Sequence, residues 1–159
     1  MDRGVDERYL REAILLARDR MRENAGGPFG AIVARDDGLV ARGWNMVTSA
    51  HDPTAHAEVV AIRRACTVLG TFRLAGCTLY SSCEPCPMCL AAAYWARVDR
   101  LVFAAGRADA AAAGFDDSLI YDEIGLPYET RSLRSTQLLR EEATLVFGEW
   151  AAQRDKIPY

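Results

Sequence analysis

The sequence predicts an α/β fold in which helices cover both faces of one β-sheet. Short apolar runs that are typical of strands alternate with longer segments whose apolar residues recur at helical spacing. Alternation of this kind favours a layered α/β architecture. The 159 residues, half of them hydrophobic, are enough for one domain with a substantial core but not for two large domains. We therefore expect residues 1–159 to form a single domain.

Local patterns along the chain define the individual elements. Leu10, Ile14 and Met21 recur near helical spacing, and the Asn-Ala-Gly-Gly-Pro segment that follows suits the end of a helix. An Asp-Asp-Gly segment between two apolar runs predicts a tight hairpin, and Gly70 ends the second helix. In order, the predicted elements are a helix at 6–24, strands at 29–35 and 39–46, a loop at 48–54, a helix at 55–69, a strand at 77–81, a helix at 87–96, a strand at 100–105, a loop at 110–115, and helices at 117–124 and 136–154.

Composition and charge favour a small-molecule substrate over a polynucleotide. The net charge is −3, the isoelectric point is about 5.4, and the arginines are interleaved with acidic residues. Proteins that hold several phosphates usually carry a basic excess. No apolar run of about 18 residues is present, and the polar, acidic N-terminus has no apolar signal core. We therefore predict a cytoplasmic protein with neither a membrane nor a nucleic-acid partner.

Two short segments indicate metal chemistry. Three of the five cysteines, Cys83, Cys86 and Cys89, lie close together, and a disulfide framework is not expected in a reducing compartment. Residues 56–58 read His-Ala-Glu and residues 85–89 read Pro-Cys-Pro-Met-Cys, each at the start of a predicted helix. Together they match H-x-E…P-C-x-x-C, the signature of zinc deaminases that act on nucleobases.

The spacing explains why these residues suit zinc. Cys86 and Cys89 are three residues apart, so on the first turn of a helix both sulfurs face the same side, where the partial positive charge favours thiolates. With His56 they make three protein ligands, which leave the fourth position of a tetrahedral ion for water, as in catalytic sites. Zinc lowers the pKa of such a water toward about 7. We assign Glu58, which is not a ligand, to proton transfer from the water to the ring nitrogen and the leaving ammonia.

Other interpretations fit parts of this pattern. A Cys-x-x-Cys pair also occurs in redox proteins and in structural zinc sites, where Cys83 would be the fourth ligand. We leave Cys83 out of the ligand set because it precedes Pro85 and lies on the loop rather than on the helical turn. A non-catalytic zinc module for binding or dimerisation would need the metal ligands but not Glu58.

Several segments outside the metal motif also carry a family resemblance. They are Gly-Pro-Phe-Gly-Ala at 27–31, Asn45, Asp-Pro-Thr-Ala at 52–55, Ser-Cys-Glu at 82–84, Tyr-Trp-Ala-Arg at 94–97, Ala-Ala-Gly-Phe-Asp-Asp-Ser at 112–118 and Tyr159. With the metal motif, they make the sequence similar to the cytidine deaminase superfamily, and within it most similar to the small bacterial guanine deaminases. The resemblance covers most of residues 27–124, while the first helix and the C-terminal region match only in outline.

The resemblance implies an architecture, an assembly and a reaction. The fold would be a three-layer α/β/α sandwich with a mixed five-stranded sheet. The protein would be a homodimer whose C-terminal segments, residues 110–159, exchange to cover the neighbour's active site. The reaction would be the zinc-dependent conversion of guanine to xanthine and ammonia.

The resemblance also implies roles for residues outside the metal motif. Asn45 would hydrogen-bond the purine, and Phe29 would stack on it. Asp117 would be a second acid that binds the substrate edge or relays protons. The remaining residues of the implied pocket are Ala57, Trp95 and Tyr159, some of them from the partner chain.

Most of these residues also have a purely structural interpretation. Aromatic residues are often simply buried, asparagine suits turns, aspartate caps helices and tryptophan is enriched at interfaces. A chain end is usually disordered unless something ties it down. The alternatives are therefore burial for Phe29, a turn for Asn45, a helix cap for Asp116 or Asp117, an interface for Trp95 and a disordered end for Tyr159.

The metal motif alone does not choose the substrate, because deaminases of cytosine, cytidine, adenine, guanine, guanosine and tRNA adenosine share the chemistry. The acidic composition and the Phe-Asp-Asp-Ser segment at 115–118 argue against tRNA. A nucleoside deaminase acting on guanosine, cytidine or adenosine stays open, because the tail at 155–159, Asp-Lys-Ile-Pro-Tyr, departs from the bacterial guanine deaminases. Of these substrates, the resemblance favours guanine.

Overall fold

The computed structural model describes residues 3–36 and 38–158 of the chain. By its internal contacts the chain divides into two compact units, Met1–Asp117 and Ser118–Tyr159. The first unit contains every strand that the structure describes, and the second is helical or irregular. The single-domain organisation expected from the sequence stays a prediction.

A mixed sheet of four strands forms the centre of the first unit. The strands are β1 (Gly30–Arg35), β2 (Gly38–Trp44), β3 (Cys77–Cys83) and β4 (Arg100–Ala105), in the order β2-β1-β3-β4. β1 is antiparallel to both β2 and β3, whereas β3 and β4 are parallel. The prediction of five strands was wrong, because the described chain after β4 forms short helices and irregular segments instead of a further strand.

Each of the predicted helices is present, and two further helices accompany them. The helices of the described chain are α1 (Arg3–Arg22), α2 (Val47–Ala50), α3 (Ala57–Leu69), α4 (Pro87–Trp95), α5 (Arg107–Ala112), α6 (Ser118–Ile124) and α7 (Arg140–Ala152), with a 3₁₀ turn at Tyr128–Thr130. None of the helices in the described part of the chain is both long and apolar enough to cross a membrane.

Two segments predicted as loops contain helices. α2 is a single turn that ends at His51 in the left-handed conformation, with φ of 52°. α5 begins after Gly106, whose amide donates to the Asp109 carboxylate at 2.8 Å. Its run of alanines was interpreted as loop-like because the residues are small, but alanine has the highest intrinsic helix propensity.

The sheet lies between two helical layers, which confirms the predicted layering. Alternate residues of a strand face opposite sides of a sheet. On one side, Ile32 and Tyr80 pack with Tyr9 and Ala13 of α1. On the other side a second buried cluster joins the sheet to α3 and α4; it comprises Ala31, Val33, Ala41, Ala57, Ala61, Ile62, Ala65, Leu74, Cys77, Leu79, Ala93 and Ala96.

A close approach between β2 and α3 fixes where α3 begins. A Cβ atom added to Gly43 would lie 2.2 Å from the carbonyl oxygen of Ala57 and 2.4 Å from the amide nitrogen of Ala61. Only glycine permits that separation without moving the helix. The contact therefore sets the position of the first turn of α3, which carries the candidate site residues Ala57 and Glu58.

Candidate active site

The starts of α3 and α4 bring the three predicted metal ligands together. His56 and Cys86 are the N-cap residues of α3 and α4, and Cys89 lies on the first turn of α4. Nδ1 of His56 lies 3.6 Å from Sγ of Cys86 and 3.5 Å from Sγ of Cys89. Within residues 3–36 and 38–158, this is the one group of three or more His, Cys, Asp or Glu side chains arranged to hold a metal ion.

The spacing of these atoms fits zinc. In a tetrahedral site with Zn–S near 2.3 Å and Zn–N near 2.0–2.1 Å, a sulfur and a nitrogen ligand lie about 3.6 Å apart. The two observed nitrogen–sulfur distances are 3.6 and 3.5 Å. All three ligand atoms lie within 4.8 Å of one another. Cys83 is outside the group, and its sulfur instead lies 3.8 Å from the carbonyl oxygen of Gly106.

The electrostatics of the site also favour a cation. The pKa of Cys86 is lowered to about 4, first by a hydrogen bond from the Cys89 thiol and then by one from His56. The hydrogen bond to Cys86 raises the pKa of His56. The protein therefore stabilises a thiolate at Cys86, and thiolate is the form of cysteine that binds metal. A divalent ion would take the place of the protons that these three side chains share.

Glu58 is buried beside the metal ligands without being one of them. It lies on the first turn of α3 and is only 6% exposed. Its Oε1 accepts a hydrogen bond of 3.0 Å from Ser81, and its Oε2 lies 3.4 Å from Sγ of Cys89. Burial is the largest influence on the carboxyl and raises its pKa above the ordinary value. A carboxyl with a raised pKa is suited to accept and return protons near neutral pH.

Sequence analysis did not identify Ser81 as a residue of the site. Ser81 is 1% exposed and occupies a position of β3 on the same face as Leu79, opposite Ala31. A signal was present in the sequence, because Ser81 follows Cys77 and Leu79 at the two-residue spacing of one strand face. A polar residue in an apolar row just before the metal motif marks a contact to another buried polar group.

The side chain of Asn45 is fixed by two backbone groups. Its Oδ1 accepts from the amides of Gly27 at 3.3 Å and Val47 at 3.2 Å. The residue is 8% exposed. Because the oxygen faces the backbone, the amide nitrogen of Asn45 points away from these two donors and is directed to donate elsewhere. The structural role that sequence analysis considered for Asn45 is therefore present, and its hydrogen bond to a purine stays a prediction.

Phe29 lies at the edge of an apolar cavity. Its ring meets that of Phe115 edge to face, with centroids 4.9 Å apart. Both rings line a cavity of about 440 Å³ that is also bordered by Met21 and Ala110. None of the three metal ligands lines this cavity. The stacking of Phe29 on a substrate stays a prediction.

Asp117 belongs to a charged group at the end of the first unit. Its Oδ1 lies 3.6 Å from Nε of Arg107, and its side chain is 20% exposed. The amide of Arg107 donates to the Glu84 carboxylate at 3.1 Å. Glu84 immediately precedes Pro85 of the metal motif, so this contact connects the start of α5 to the loop that leads into the ligand cysteines.

The other residues of the predicted pocket have different environments. Ala57 is fully buried in the cluster between the sheet and α3. Trp95 ends α4 and is 62% exposed. Tyr159 lies outside the described residues. Substrate contacts by these three residues stay predictions.

Comparison with known proteins identifies the class. Residues 3–105 match the family described as the cytidine and deoxycytidylate deaminase zinc-binding region. This chain belongs to that family and is a zinc-dependent aminohydrolase. Within the family it is 49% identical over 153 residues to the guanine deaminase of Bacillus subtilis, covering 96% of this chain and 98% of that protein.

Two further comparisons place the chain within the family. The crystal structure of the guanine deaminase from Bacillus subtilis superposes with a TM-score of 0.94 and 48% identity, covering 100% of this chain and 99% of that one. The tRNA-specific adenosine deaminase of Bacillus subtilis is 42% identical over 100 residues, covering 63% of this chain and 62% of that protein. Similarity to the tRNA enzyme is thus confined to part of the chain.

Proposed function

We propose that this protein hydrolyses guanine to xanthine and ammonia. The observation that carries the proposal is a three-ligand metal centre paired with a buried carboxyl, Glu58, whose Oε2 lies 3.4 Å from one ligand sulfur. The choice of guanine is supported by similarity to a guanine deaminase over 96% of the chain. Similarity to a tRNA adenosine deaminase extends over only 63% of it.

In this proposal His56, Cys86 and Cys89 hold the zinc ion. Bound zinc supplies Lewis-acid activation of a water molecule at neutral pH. The water adds to C2 of the purine, and the amino group on that carbon leaves as ammonia. One guanine and one water thus give one xanthine and one ammonia, with no oxidant or reductant.

Glu58 moves the protons of this reaction. It accepts a proton from the attacking water and transfers it to the ring nitrogen beside C2. It then carries the second proton of the water to the departing amino group. Burial supports this role, because the raised pKa of the carboxyl brings its protonated and ionised forms closer in free energy.

Asn45 orients the substrate. Its oxygen is occupied by the amides of Gly27 and Val47, so its amide nitrogen is the group that meets a ligand. A donor at this position suits an acceptor on the purine, such as the carbonyl oxygen or the imidazole nitrogen of guanine. The same two backbone hydrogen bonds prevent the amide from rotating to present an acceptor instead.

Asp117 accepts hydrogen bonds from the substrate or relays protons as a second acid. Guanine presents N–H donors at N1 and at the amino group on C2, and a carboxylate has acceptors for both. Nε of Arg107 lies 3.6 Å from Oδ1 of Asp117 and forms an ion pair with it. Phe29, Ala57, Trp95 and Tyr159 remain assigned to substrate contacts by the family resemblance.

The substrate proposal is tested by ammonia release from a panel of bases and nucleosides. Purified, zinc-loaded protein is incubated in parallel with guanine, guanosine, cytosine, cytidine, adenine and adenosine, with chelator-treated protein as the control. We expect release from guanine alone. Equal or greater release from guanosine would mean that the pocket admits ribose, and release from none would refute the function.

We also propose that the protein is a homodimer whose C-terminal segments exchange between copies. From Ser118 to Pro158 no residue is buried, and the second unit exposes many large apolar side chains, which favours burial against another surface. The most exposed of these are Leu133, Leu138, Leu139, Leu145 and Phe147. Exchange would bring the tail of one copy to the active site of the other.

A further inference from the structure

Glu58 is held by one hydroxyl from the sheet. The carboxylate of Glu58 has two oxygens in different surroundings. Oε1 accepts from the Ser81 hydroxyl at 3.0 Å, and Oε2 lies 3.4 Å from Sγ of Cys89. Glu58 is 6% exposed and Ser81 is 1% exposed. Water therefore does not compete for the bond between them, and a buried hydrogen bond to a charged group is stronger than a neutral one.

The neighbours of Ser81 determine the direction of that bond. Its Oγ lies 3.4 Å from the amide nitrogen of Cys83, which donates to it. A hydroxyl has one proton, and with the Cys83 amide pointing at its oxygen, that proton is directed to Oε1 of Glu58. Ser81 is therefore a fixed donor to one oxygen of the carboxylate.

The position of Ser81 in the sheet is equally constrained. Ser81 pairs with Ala31 across β1 and β3, and the row of residues that shares its face packs against α3. A shift by one residue would turn the hydroxyl to the opposite face of the sheet. The strand register thus determines where the Ser81 hydroxyl meets the carboxyl of Glu58.

We propose that Ser81 is the positioning residue of the active site, which anchors Oε1 of Glu58 and leaves Oε2, on the side of Cys89, as the oxygen that carries protons. This inference rests on the proposed function for the role of Glu58 and adds a residue that the metal motif does not contain. Ser81 lies outside the ligand group of His56, Cys86 and Cys89 and acts through Glu58.

The test compares two substitutions of nearly equal volume. In Ser81→Thr the hydroxyl is kept, and in Ser81→Val a methyl group replaces it; both residues are β-branched and favour strands. The matched control is Thr78→Val, which removes a hydroxyl from the same strand at a position on the other face. Each protein is loaded with zinc, and its zinc content is measured before kinetics.

We expect Ser81→Thr to keep kcat within about threefold of the native value, and Ser81→Val to lower kcat by about 10- to 100-fold, the effect of losing one hydrogen bond to a charged group. KM and zinc content should be unchanged in both, and Thr78→Val should keep kcat within about twofold. Equal losses in Ser81→Thr and Ser81→Val would overturn the proposal, as would an unchanged kcat in Ser81→Val.

A crystal structure of zinc-loaded Ser81→Val gives a readout that does not depend on activity. We expect the carboxyl of Glu58 to leave its native orientation or to occupy more than one. A carboxyl that keeps the native orientation would show that Ser81 does not position it. If the native protein releases no ammonia from any base, the proposed function fails, and this structure still decides whether Ser81 orients Glu58.

Discussion

At the scale of single residues, the proposed proton transfer depends on a buried carboxyl that lies beside the metal-ligand group without belonging to it. Glu58 contacts one of the metal-ligand residues, Cys89, through Oε2, and it accepts a hydrogen bond from Ser81 of the sheet through Oε1. Its burial raises the pKa of the carboxyl, because removal from water disfavours the charged form. The same burial explains why the two hydrogen bonds are needed, since an unpaired buried carboxylate would be strongly destabilising.

Replacement of Glu58 by glutamine separates proton transfer from metal binding. In Glu58→Gln the amide oxygen still accepts from Ser81, and the amide nitrogen can donate to the sulfur of Cys89, so the packing is preserved. The substituted side chain cannot carry a proton. We expect ammonia release to fall by about 10²- to 10⁴-fold, the usual contribution of general acid–base catalysis, with zinc content unchanged.

Elemental analysis and steady-state kinetics on the same preparation check this prediction. Activity within tenfold of the native protein would contradict the role of Glu58. No ammonia release from either the native protein or Glu58→Gln would instead favour the non-catalytic zinc module, which needs the metal ligands but not the acid. Cys86→Ala is the companion variant, since it should lose zinc as well as activity. The two variants therefore differ in metal content while both lose turnover.

Sequence reasoning was most successful for residues whose contacts are local. Cys86 and Cys89 share a helical turn, so their spacing predicts that both sulfurs face one side, and the structure brings them together with His56. Ser81 lies 23 positions from Glu58 along the chain. Its contact depends on the register of β3 and on the placement of α3, which no local pattern specifies.

At the scale of elements, the strongly patterned helices and strands were predicted, whereas two of the short helices, α2 and α5, were not. α1, α3 and the four strands are marked by apolar periodicity and by turn residues. α2 and α5 are too short for periodicity and depend on single capping contacts, such as the Asp109 carboxylate at the start of α5. The expected fifth strand had come from family resemblance rather than from any strand pattern in the chain.

A partly buried ion pair connects α1 to the sheet. Asp6 of α1 accepts two hydrogen bonds from Arg100 of β4, at 3.2 and 2.8 Å, and one of 2.9 Å from the hydroxyl of Tyr80. The side chains of Asp6 and Arg100 are 23% and 28% exposed. The hydrogen bonds from Arg100 are the main cause of a lowered pKa at Asp6, and burial followed by the bond to Asp6 raises the pKa of Tyr80 to about 12.

This contact predicts a pH-dependent contribution to stability. The folded-state pKa of Asp6 is below its ordinary value of 3.8, so the ionised carboxylate stabilises the fold above the unfolded-state pKa. That contribution is lost as the pH falls through the lowered folded-state value. We expect Asp6→Asn to lower the free energy of unfolding by about 1 kcal/mol at pH 7, because the pair is partly exposed. The difference from the native protein should shrink below about pH 4.

Denaturant unfolding of both proteins at several pH values measures this difference. Glu7→Gln is the matched control, since Glu7 lies one position further along α1 and, among the described residues, forms its ion pairs with Arg3 and Arg11 of the same helix. Its side chain is 42% exposed, so its substitution should cost less. A cost for Asp6→Asn that stays constant from pH 7 to pH 3 would show that ionisation of Asp6 is not the source.

At the scale of the whole molecule, the sequence alone could not determine how copies of the chain assemble. The overall acidity of the chain, with a net charge of −3, remains consistent with a small-molecule substrate, and a cytoplasmic location stays a prediction. The second unit leaves large apolar side chains such as Leu145 and Phe147 exposed. Such a surface favours burial against another surface, and a second copy of the chain is the partner that the family resemblance implies.

Exchange of tails between two copies predicts that two inactive variants restore each other. Cys86→Ala lacks the metal site but has an intact tail, and Tyr159→Ala has the metal site but lacks the side chain predicted to complete the neighbour's pocket. Each is expected to be strongly impaired alone. In a mixed dimer, the intact metal site receives the intact tail. With random pairing, half of the dimers are mixed and one of their two sites is complete, so about a quarter of all sites should be active.

Co-expression of the two variants with different affinity tags, followed by tandem purification, gives the mixed dimer for assay. Purified mixed dimer should show about half the activity of native dimer, because one of its two sites is complete. Analytical ultracentrifugation should give twice the chain mass of 17.5 kDa. A mixed dimer as inactive as its parents would mean that each tail serves its own site, while full activity of Tyr159→Ala alone would remove Tyr159 from the pocket. Because complementation requires both a dimer and a tail that acts across it, the recovered activity distinguishes exchange from dimerisation without exchange.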